Sequence, residues 1–498
     1  MSERLSYIIR RFSERLSLNE KQTRYASFLI ICISIVIYSN NFIQTVTQKM
    51  WLDEIYTLVL IQGENPLSLI RIMYQGADTN PPLYFVSANI INNLIGYPEY
   101  SLAGFGLIFT LGGLYFINKT VKLYDPGIPA YLILLIAATS CHISCYLSTE
   151  IRSYGLYFFL SSLIIWLYLK NGNSGKDHIL VLAVTSLILY THYFAAVLVI
   201  SLSVHSLFNL RTRRNNLFAM LGGSLLFVPW VPAVINQYHK VGASTWHSFT
   251  GWAGFFDLFR YVMGGAGFLF FLFLIMINAR KILNIIKMDS EKLRMRLLLV
   301  LSLLAPFFYL LLYLNVTVMS FRYFQFSVVS LLLIYVIILH KLLNKRLVYY
   351  SPLLILSWLI AFKGYNNFEH SESIRVEQAV NYEKHRIPVI LSTPHEFLPV
   401  KYYASEKSLI YCLNDSLAVK DQYRRTGKFT VDYHILKTYS EFGKISGLTT
   451  LEELKKKEEF YITVDENSAV IDFLSDSHTF RKIDDNFYML SKKTKNDL

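Results

Sequence analysis

Four short stretches of this sequence place charged side chains among strongly apolar residues. The first, "WLDEIYTL", puts two adjacent carboxylates, Asp53 and Glu54, just after an apolar run from 25 to 43 that is long enough to cross a bilayer. The second, "GADTNPPLYF", contributes Asp78. Charged groups at a membrane edge are costly to desolvate, so they are rare there unless they pair with one another or bind a ligand. Ion pairing and ligand binding are therefore the chemistry to test.

The other two stretches add arginines. "STEIRSY" carries Glu150 and Arg152, and "MSFRYFQF" carries Arg322 and Tyr323. Taken singly, each stretch has a local explanation, since carboxylates favour helix N-termini, Asx residues begin turns, and an arginine can extend its side chain to the interface. These local roles leave unexplained why all four stretches fall on one side of the membrane.

The amino-acid composition is typical of a membrane protein. The chain has 498 residues, of which 53% are hydrophobic and only 17% are charged. This is too apolar for a soluble domain of that length, and apolar runs of spanning length recur between residues 25 and 363. The net charge of +13 does not imply a nucleic-acid partner, because Lys and Arg collect in alternate loops, as expected for the cytoplasmic side of membrane helices.

The number of membrane crossings that precede each basic cluster constrains the topology. With a cytoplasmic N-terminus, every basic cluster must follow an even number of crossings. If residues 83 to 97 crossed the membrane, most later basic clusters would fall outside. These residues are therefore predicted to be an interfacial helix inside one long outer loop, 44 to 100. The prediction is an α-helical polytopic domain, 1–363, and a soluble extracytoplasmic α/β domain, 364–498. Its eleven spans are 25 to 43, 101 to 118, 128 to 147, 153 to 169, 178 to 191, 193 to 210, 216 to 236, 258 to 278, 297 to 315, 323 to 340 and 347 to 363.

These motifs resemble the GT-C class of glycosyltransferases, in the prokaryotic branch related to protein mannosyltransferases and to the lipid A aminoarabinose transferase. In that branch an acidic pair follows the first helix, as Asp53 and Glu54 do here, and an acidic residue precedes a Pro-Pro-Leu-Tyr segment, as in "DTNPPLYF". A Glu-x-Arg-x-Tyr stretch and an Arg-Tyr pair at a late helix follow in the same order.

The resemblance implies inverting transfer of a sugar from a polyprenyl-phosphate donor to a lipid, glycan or protein acceptor, on the outer face of a bacterial inner membrane. It implies that Asp53 is the general base, assisted by Glu54, and that Arg152, Arg322 and Tyr323 bind the lipid phosphate. A divalent metal ion is an optional cofactor, with Asp78, Glu150 and His192 as its ligands. His192 has a second explanation, as a helix cap at an outer turn.

Two other classes remain open from the sequence. A flippase or polymerase of lipid-linked glycans would also have many spans, but it should carry polar or broken helices at the bilayer midplane, and this chain has few. A non-catalytic scaffold is the other alternative. The sequence does not specify the sugar, the acceptor or the length of the carrier.

Overall fold

The computed structural model describes most of the chain, and the chain divides into two compact units. Unit 1 comprises Met1–Thr47, Glu99–Phe227 and Phe249–Tyr365, and unit 2 comprises Gln48–Pro98, Val228–Ser248 and Asn366–Leu498. The predicted domain boundary near residue 363 lies outside the described residues and stays a prediction. The structure describes residues 20–47, 49–50, 52–140, 143, 147–172, 174–241, 256, 259, 262–263, 268, 271–272, 274–279, 281–282, 292–312, 321–343, 386–420, 431–464, 468–484 and 487–493.

Unit 1 is built from long apolar helices. Because a run of about 20 apolar residues satisfies its backbone hydrogen bonds internally as a helix, such segments are stable in a lipid environment. In chain order its helices are α1 (Glu20–Thr47), α5 (Pro98–Val121), α6 (Ala130–Thr139), α7 (Tyr154–Lys170), α8 (Gly175–Leu189), α9 (Ala195–Leu207), α10 (Leu210–Leu225), α12 (Lys292–Leu312) and α13 (Gln325–Leu343), the intervening numbers belonging to unit 2.

Three described segments are long and apolar enough to cross a membrane: Pro98–Val121, Arg213–His239 and Gln325–Leu342. Helices α1, α5, α7, α8, α9, α12 and α13 overlap the predicted spans that they were expected to form. The prediction of a helical membrane domain is confirmed. The count of eleven spans stays a prediction, since 347 to 363 and about half of 258 to 278 lie outside the described residues.

Two predicted spans are interrupted in the structure. Residues 128 to 147 were expected to form one helix, but α6 ends at Thr139, where Ser140 adopts an extended backbone. The Ser140 side chain then accepts the N–H of Ile143. Residues 216 to 236 were also expected to be continuous, yet a 3₁₀ turn at Val228–Trp230 separates α10 from α11 (Val231–Val241). The sequence "VPWVP" explains this break, because proline lacks the N–H that an α-helix requires.

Helices α5 and α7 approach closely at two glycines. A Cβ atom added at Gly155 would lie 2.9 Å from the carbonyl oxygen of Leu147 and 3.0 Å from that of Gly106. The hydroxyl of Thr110 donates to the same Leu147 oxygen at 2.9 Å. Only a residue without a side chain fits such a backbone contact. The glycine contact therefore holds the turn from 147 to 153 against α5.

Unit 2 combines the acidic helix with the C-terminal sheet domain. Its helices are α2 (Leu52–Ile61), α3 (Pro66–Tyr74), α4 (Leu83–Ile95), α11, α14 (Pro394–Tyr403), α15 (Val431–Glu441), α16 (Leu451–Leu454) and α17 (Ala469–Ser475). Its strands are β1 (Val389–Leu391), β2 (Ile410–Leu413), β3 (Leu448–Thr449), β4 (Glu459–Thr463), β5 (His478–Asp484) and β6 (Phe487–Lys492), in the sheet order β3-β2-β1-β4-β6-β5. The predicted C-terminal α/β fold is confirmed.

The sheet is mixed and has an apolar core. Strand β1 pairs in parallel with both β2 and β4, whereas β6 pairs antiparallel with β4 and β5. Buried side chains on one layer, including Ile390, Phe460, Ile462 and Leu490, pack together against α16 and α17. Parallel strands buried on both faces are expected to be continuous apolar runs, and "PVILS" and "FYITV" fit this pattern.

Three polar contacts fix α2 and its flanks to this sheet domain. The hydroxyl of Tyr439 donates to the carbonyl oxygen of Tyr56 at 3.0 Å, and the N–H of Met50 donates to the hydroxyl of Tyr403 at 2.6 Å. The Lys444 ammonium lies 2.8 Å from the Glu64 carboxylate. The rings of Tyr56 and Tyr439 also meet edge to face, at 5.8 Å between centroids. The C-terminal residues thus support the helix that carries Asp53 and Glu54.

The glycine contact yields a stability prediction. Gly155→Ala should lower the free energy of unfolding by about 1–3 kcal/mol, because the new methyl group would overlap two backbone oxygens and force α5 and α7 apart. Gly104→Ala on the same helix α5 is the matched control, since its added Cβ meets nothing within 4 Å. Thermal unfolding of both purified variants checks this. Equal melting temperatures for the two variants would contradict the close contact.

Candidate active site

Two of the sequence motifs meet in unit 1. The guanidinium of Arg322 donates from Nη1 to Oε1 of Glu150 at 3.1 Å, forming an ion pair between residues 172 apart in sequence. The same guanidinium lies 5.6 Å from the ring centroid of Tyr154. Arg152 and Tyr323 also interact electrostatically with the Tyr154 hydroxyl. The structure therefore brings together four predicted site residues, Glu150, Arg152, Arg322 and Tyr323.

Local structure positions both sides of this pair. Two backbone hydrogen bonds close the turn before α7. The N–H of Arg152 donates to the carbonyl oxygen of Glu150 at 2.8 Å, and the N–H of Tyr157 donates to the carbonyl oxygen of Ser153 at 2.9 Å. Opposite it, Arg322 lies in a 3₁₀ turn, Phe321–Tyr323, just before α13. The Gln325 side chain donates to the Arg322 carbonyl oxygen at 3.0 Å and fixes that turn.

An aromatic cluster borders the ion pair, and His192 is at its centre. The cluster comprises Tyr157, His192, Phe194 and Tyr323. The His192 ring stacks parallel on Tyr157, with 4.9 Å between centroids, and lies 5.4 Å from Tyr323. Phe194 in turn contacts Tyr323 at 5.3 Å. Flat aromatic faces beside guanidinium groups suit a ligand that has both an apolar and a charged part.

The hydrogen bonds of His192 assign its tautomer. The N–H of Phe194 donates to Nδ1 of His192 at 3.3 Å, so the proton of the neutral ring belongs on Nε2. Burial, together with the nearby charge of Arg152, lowers the pKa of His192 to about 3. The ring is therefore neutral at physiological pH. Neither Nε2 of His192 nor the hydroxyl of Tyr157 has a hydrogen-bond partner among the residues that the structure describes.

Buried polar groups without partners commonly mark the place of a ligand or an ordered water. Here the two groups adjoin the guanidinium groups of Arg152 and Arg322 and the carboxylate of Glu150. Glu150 is 6% exposed and Arg152 is 7% exposed, so solvent screens these charges weakly. Guanidinium groups beside aromatic rings can bind an anion, and arginine forks suit phosphate oxygens.

The predicted acidic residues belong to unit 2. Asp53 and Glu54 lie in the first turn of α2, where negative side chains are favoured by the helix dipole, and Glu54 is buried. The hydroxyl of Thr57 donates to the carbonyl oxygen of Asp53 at 3.1 Å. The meeting of these carboxylates with Arg322 in one pocket stays a prediction.

Asp78 has a local structural role. Its Oδ1 atom accepts the backbone N–H of Asn80 at 2.9 Å and the side-chain amide of Asn80 at 2.8 Å. This is the turn geometry that Asx residues adopt, and it leads the chain into Pro81, Pro82 and the start of α4. The turn explanation for Asp78 is thus supported, while its role as a metal ligand stays a prediction.

The predicted metal ligands do not form a recognisable metal centre. Across the described ranges no group of three or more His, Cys, Asp or Glu side chains is arranged to hold a metal ion. Glu150 accepts from Arg322, and His192 uses its lone-pair nitrogen to accept from Phe194. Since a neutral imidazole binds metal through that lone pair, His192 does not fit a ligand role in this arrangement.

Sequence reasoning missed two features of this region. Tyr157 lies three residues after Tyr154 on α7, so the helical i, i+3 spacing could have placed it on the same face. Gly106 and Gly155 gave no local signal.

The fold matches two solved structures of one protein, ArnT. Over 93% of this chain and 97% of the other, the structure is similar to ArnT from Cupriavidus metallidurans in the apo state, with a TM-score of 0.57 and 11% identity. The ArnT structure bound to undecaprenyl phosphate matches over 94% and 98%, with a TM-score of 0.56 and 10% identity. No family model and no curated protein matches the sequence.

An Archaeoglobus fulgidus oligosaccharyltransferase, solved in complex with Zn and sulfate, matches at 11% identity with a TM-score of only 0.39. It covers 75% of this chain and 61% of its own, and this similarity is too distant to inform the fold. The two ArnT matches carry the conclusion. The predicted GT-C type fold is confirmed, because both extend over nearly the whole length of each chain.

The depressed pKa of His192 makes stability depend on pH. Below pH 6.5 an unfolded chain takes up a proton at this residue, whereas the folded chain does so only near its pKa of about 3. Stability should therefore fall with falling pH, by about 2 kcal/mol between pH 7 and pH 5 from this residue alone. Denaturant unfolding of the wild type and of His192→Gln at both pH values measures it.

In that experiment the stability of His192→Gln should fall less between pH 7 and pH 5 than that of the wild type, because the contribution of His192 is absent. His178→Gln, near the start of α8 and partly exposed, is the matched control and should retain the wild-type dependence. If His192→Gln retained the full dependence, the proposed neutral, buried state of the ring would be wrong.

Proposed function

We propose that this protein is a membrane glycosyltransferase that transfers a sugar from a polyprenyl-phosphate donor to an acceptor, with inversion at the anomeric carbon. The observation that carries the proposal is the Arg322–Glu150 pair beside Arg152 and the aromatic cluster. This arrangement supplies positive charge for a phosphate and flat apolar surface for the sugar or the first isoprene unit. The fold shared with ArnT, one structure of which holds undecaprenyl phosphate, supports it.

In the proposed reaction the acceptor hydroxyl oxygen attacks the anomeric carbon of the donor sugar. The bond between that carbon and the phosphate oxygen breaks, and the polyprenyl phosphate leaves on the opposite face. Asp53 takes the proton of the acceptor hydroxyl, and Glu54 orients or assists it. Arg152 and Arg322 neutralise the departing phosphate, and Tyr323 contacts it. Negative charge develops on the leaving oxygen, so these interactions strengthen in the transition state.

Glu150 has a positioning role in this proposal. Its carboxylate accepts from Arg322 and is buried, so it holds the guanidinium plane in one orientation. The neutral His192 ring offers its Nε2–H to a phosphate or sugar oxygen, because Nδ1 already accepts from Phe194. A donor that stays neutral adds a hydrogen bond without a further charge to desolvate.

The proposal places the reaction on the extracytoplasmic face of a bacterial inner membrane. The N-terminus is then cytoplasmic, and the C-terminal domain lies outside with Asp53. Contacts within unit 2 support the last part, since Tyr439 of the C-terminal domain binds the backbone of α2 directly. The sugar and the acceptor, whether lipid, glycan or protein, are not specified by these residues.

The catalytic assignment is tested at the acidic pair. Asp53→Asn should lower the transfer rate by roughly 10²–10⁴-fold, because an amide cannot accept the acceptor's proton. The assay uses proteoliposomes supplied with polyprenyl-phosphate sugar, and thermal unfolding verifies the fold. Glu54→Gln is the matched control, expected to have the smaller effect. Undiminished transfer by a folded Asp53→Asn protein would refute the assignment and favour a flippase or a scaffold.

The phosphate-binding role is tested at Arg322. Arg322→Lys keeps the charge but loses the planar fork, so we expect roughly a tenfold rise in the KM for the lipid donor with little change in the KM for the acceptor. Glu150→Gln separates phosphate binding by Arg322 from its pairing with Glu150, because this variant breaks the ion pair and keeps the Arg322 guanidinium. A defect confined to the acceptor KM in Arg322→Lys would contradict phosphate binding.

A further inference from the structure

Unit 1 has a second cluster of arginines, at the other end of α7 from the candidate active site. Glu150 and Arg152 precede the first residue of α7, whereas Tyr168 and Lys170 lie in its last turn. A helix of 17 residues is about 25 Å long, so the two places are separate. The basic end, as we name this region, comprises Tyr168, Lys170, Arg213, Arg294, Leu123, Tyr124, Asp125, Asp177 and His340.

Arg213 is the unusual member of the basic end. Its side chain is in the first turn of α10, and the residue is only 6% exposed. The guanidinium donates to the carbonyl oxygen of Tyr168 and lies 4.3 Å from the centroid of the Tyr168 ring. A buried arginine normally pairs with a carboxylate, because an uncompensated charge is expensive to remove from water. Among the described residues Arg213 has no such partner.

Arg294 increases the excess of positive charge. It lies near the start of α12, donates from Nη1 to the carbonyl oxygen of Leu123 at 3.4 Å, and interacts electrostatically with Arg213. Two like charges so placed repel each other, and this raises the cost of burying Arg213. No ion pair to Arg294 is found in the described part of the chain either.

The carboxylates of the basic end are engaged elsewhere. Asp177 lies 2.9 Å from the Lys170 ammonium and also accepts from the Ser174 hydroxyl. Asp125 lies 3.3 Å from Nε2 of His340 and accepts the N–H of Gly127. Within the described residues, the carboxylates at this end thus contact other side chains, Asp177 that of Lys170 and Asp125 that of His340.

Helix capping accounts for only part of the arrangement. Arg213 caps the C-terminus of α7, and Arg294 donates to a carbonyl just after α5, where the dipoles offer partial negative charge. A helix terminus supplies roughly half an elementary charge, whereas each guanidinium carries a full one. A guanidinium also has five N–H donors, and a single carbonyl uses one of them. Capacity for an anion therefore remains.

We infer that Arg213 and Arg294 together bind one anionic phosphate group at the basic end of unit 1. Two guanidinium groups on different helices can share the oxygens of one phosphate, and the planar fork suits this geometry. The ligand is either the headgroup of an anionic phospholipid or a soluble phosphate. Basic pockets between membrane helices bind lipid headgroups in this way on the cytoplasmic side, which is where the topology prediction places this end.

The full-length protein, purified and freed of lipid, tests the inference by thermal unfolding. Phosphatidylglycerol is titrated in mixed micelles against phosphatidylcholine, and inorganic phosphate against chloride at equal ionic strength. We expect phosphatidylglycerol or inorganic phosphate to raise the melting temperature of the wild type. A rise with the lipid alone identifies a headgroup, and a rise with inorganic phosphate identifies a soluble ligand; both support the inference.

Variants locate the effect. Arg213→Gln should raise the half-saturating ligand concentration roughly tenfold or more, since a charge-assisted hydrogen bond is lost. Arg214→Gln is the matched control, because it removes the same charge one residue along the helix from an exposed side chain over the Phe218 ring. Arg294→Gln gives an independent reading if Arg213→Gln does not fold, and it should weaken binding similarly.

Three outcomes would overturn the inference. The first is a melting temperature that neither the anionic lipid nor inorganic phosphate raises above its control. The second is equal weakening in Arg214→Gln and Arg213→Gln, which would indicate general surface charge. The third concerns Asp289 and Glu291, which lie outside the described residues. If neutralising both lowers the stability of the ligand-free protein as much as Arg213→Gln does, these carboxylates, and not a bound phosphate, balance the charge of Arg213.

Discussion

The ion pair between Arg322 and Glu150 is the interaction that joins the two halves of the candidate site in unit 1. Glu150 is buried, and a carboxylate removed from water without a partner would be strongly destabilising. The pair therefore constrains two helices, since Glu150 precedes α7 and Arg322 precedes α13. Arg152 and the aromatic cluster lie beside it.

Much of the architecture could be predicted from apolar run length. Helices α5, α7 and α13 overlap their predicted spans because long apolar segments have few structural alternatives in a membrane. The interruptions at Ser140 and Pro229 were missed, since hydropathy averages over a window and ignores single backbone groups. The C-terminal α/β fold was predicted, but the sheet order could not be, because it depends on pairings that are distant in sequence.

The candidate site was predictable only in part. The types of Glu150, Arg152, Arg322 and Tyr323 indicated a site, and their meeting follows from helices that begin at the same end of unit 1. The tautomer of His192 could not be predicted, because it depends on one backbone N–H two residues away. Nor could the sequence show that one carboxylate oxygen of Asp78 accepts both the backbone N–H and the side-chain amide of Asn80.

The contact between Tyr439 and Tyr56 has a consequence for synthesis of the chain. The two residues are 383 positions apart, yet both belong to unit 2. At translation rates of about 5–20 residues per second, α2 emerges roughly 20–80 s before its partner exists. Throughout that interval the acidic helix lacks the hydrogen bond and ring contact that later hold it. The final contacts of the acidic helix can therefore form only after residue 439 has been synthesised.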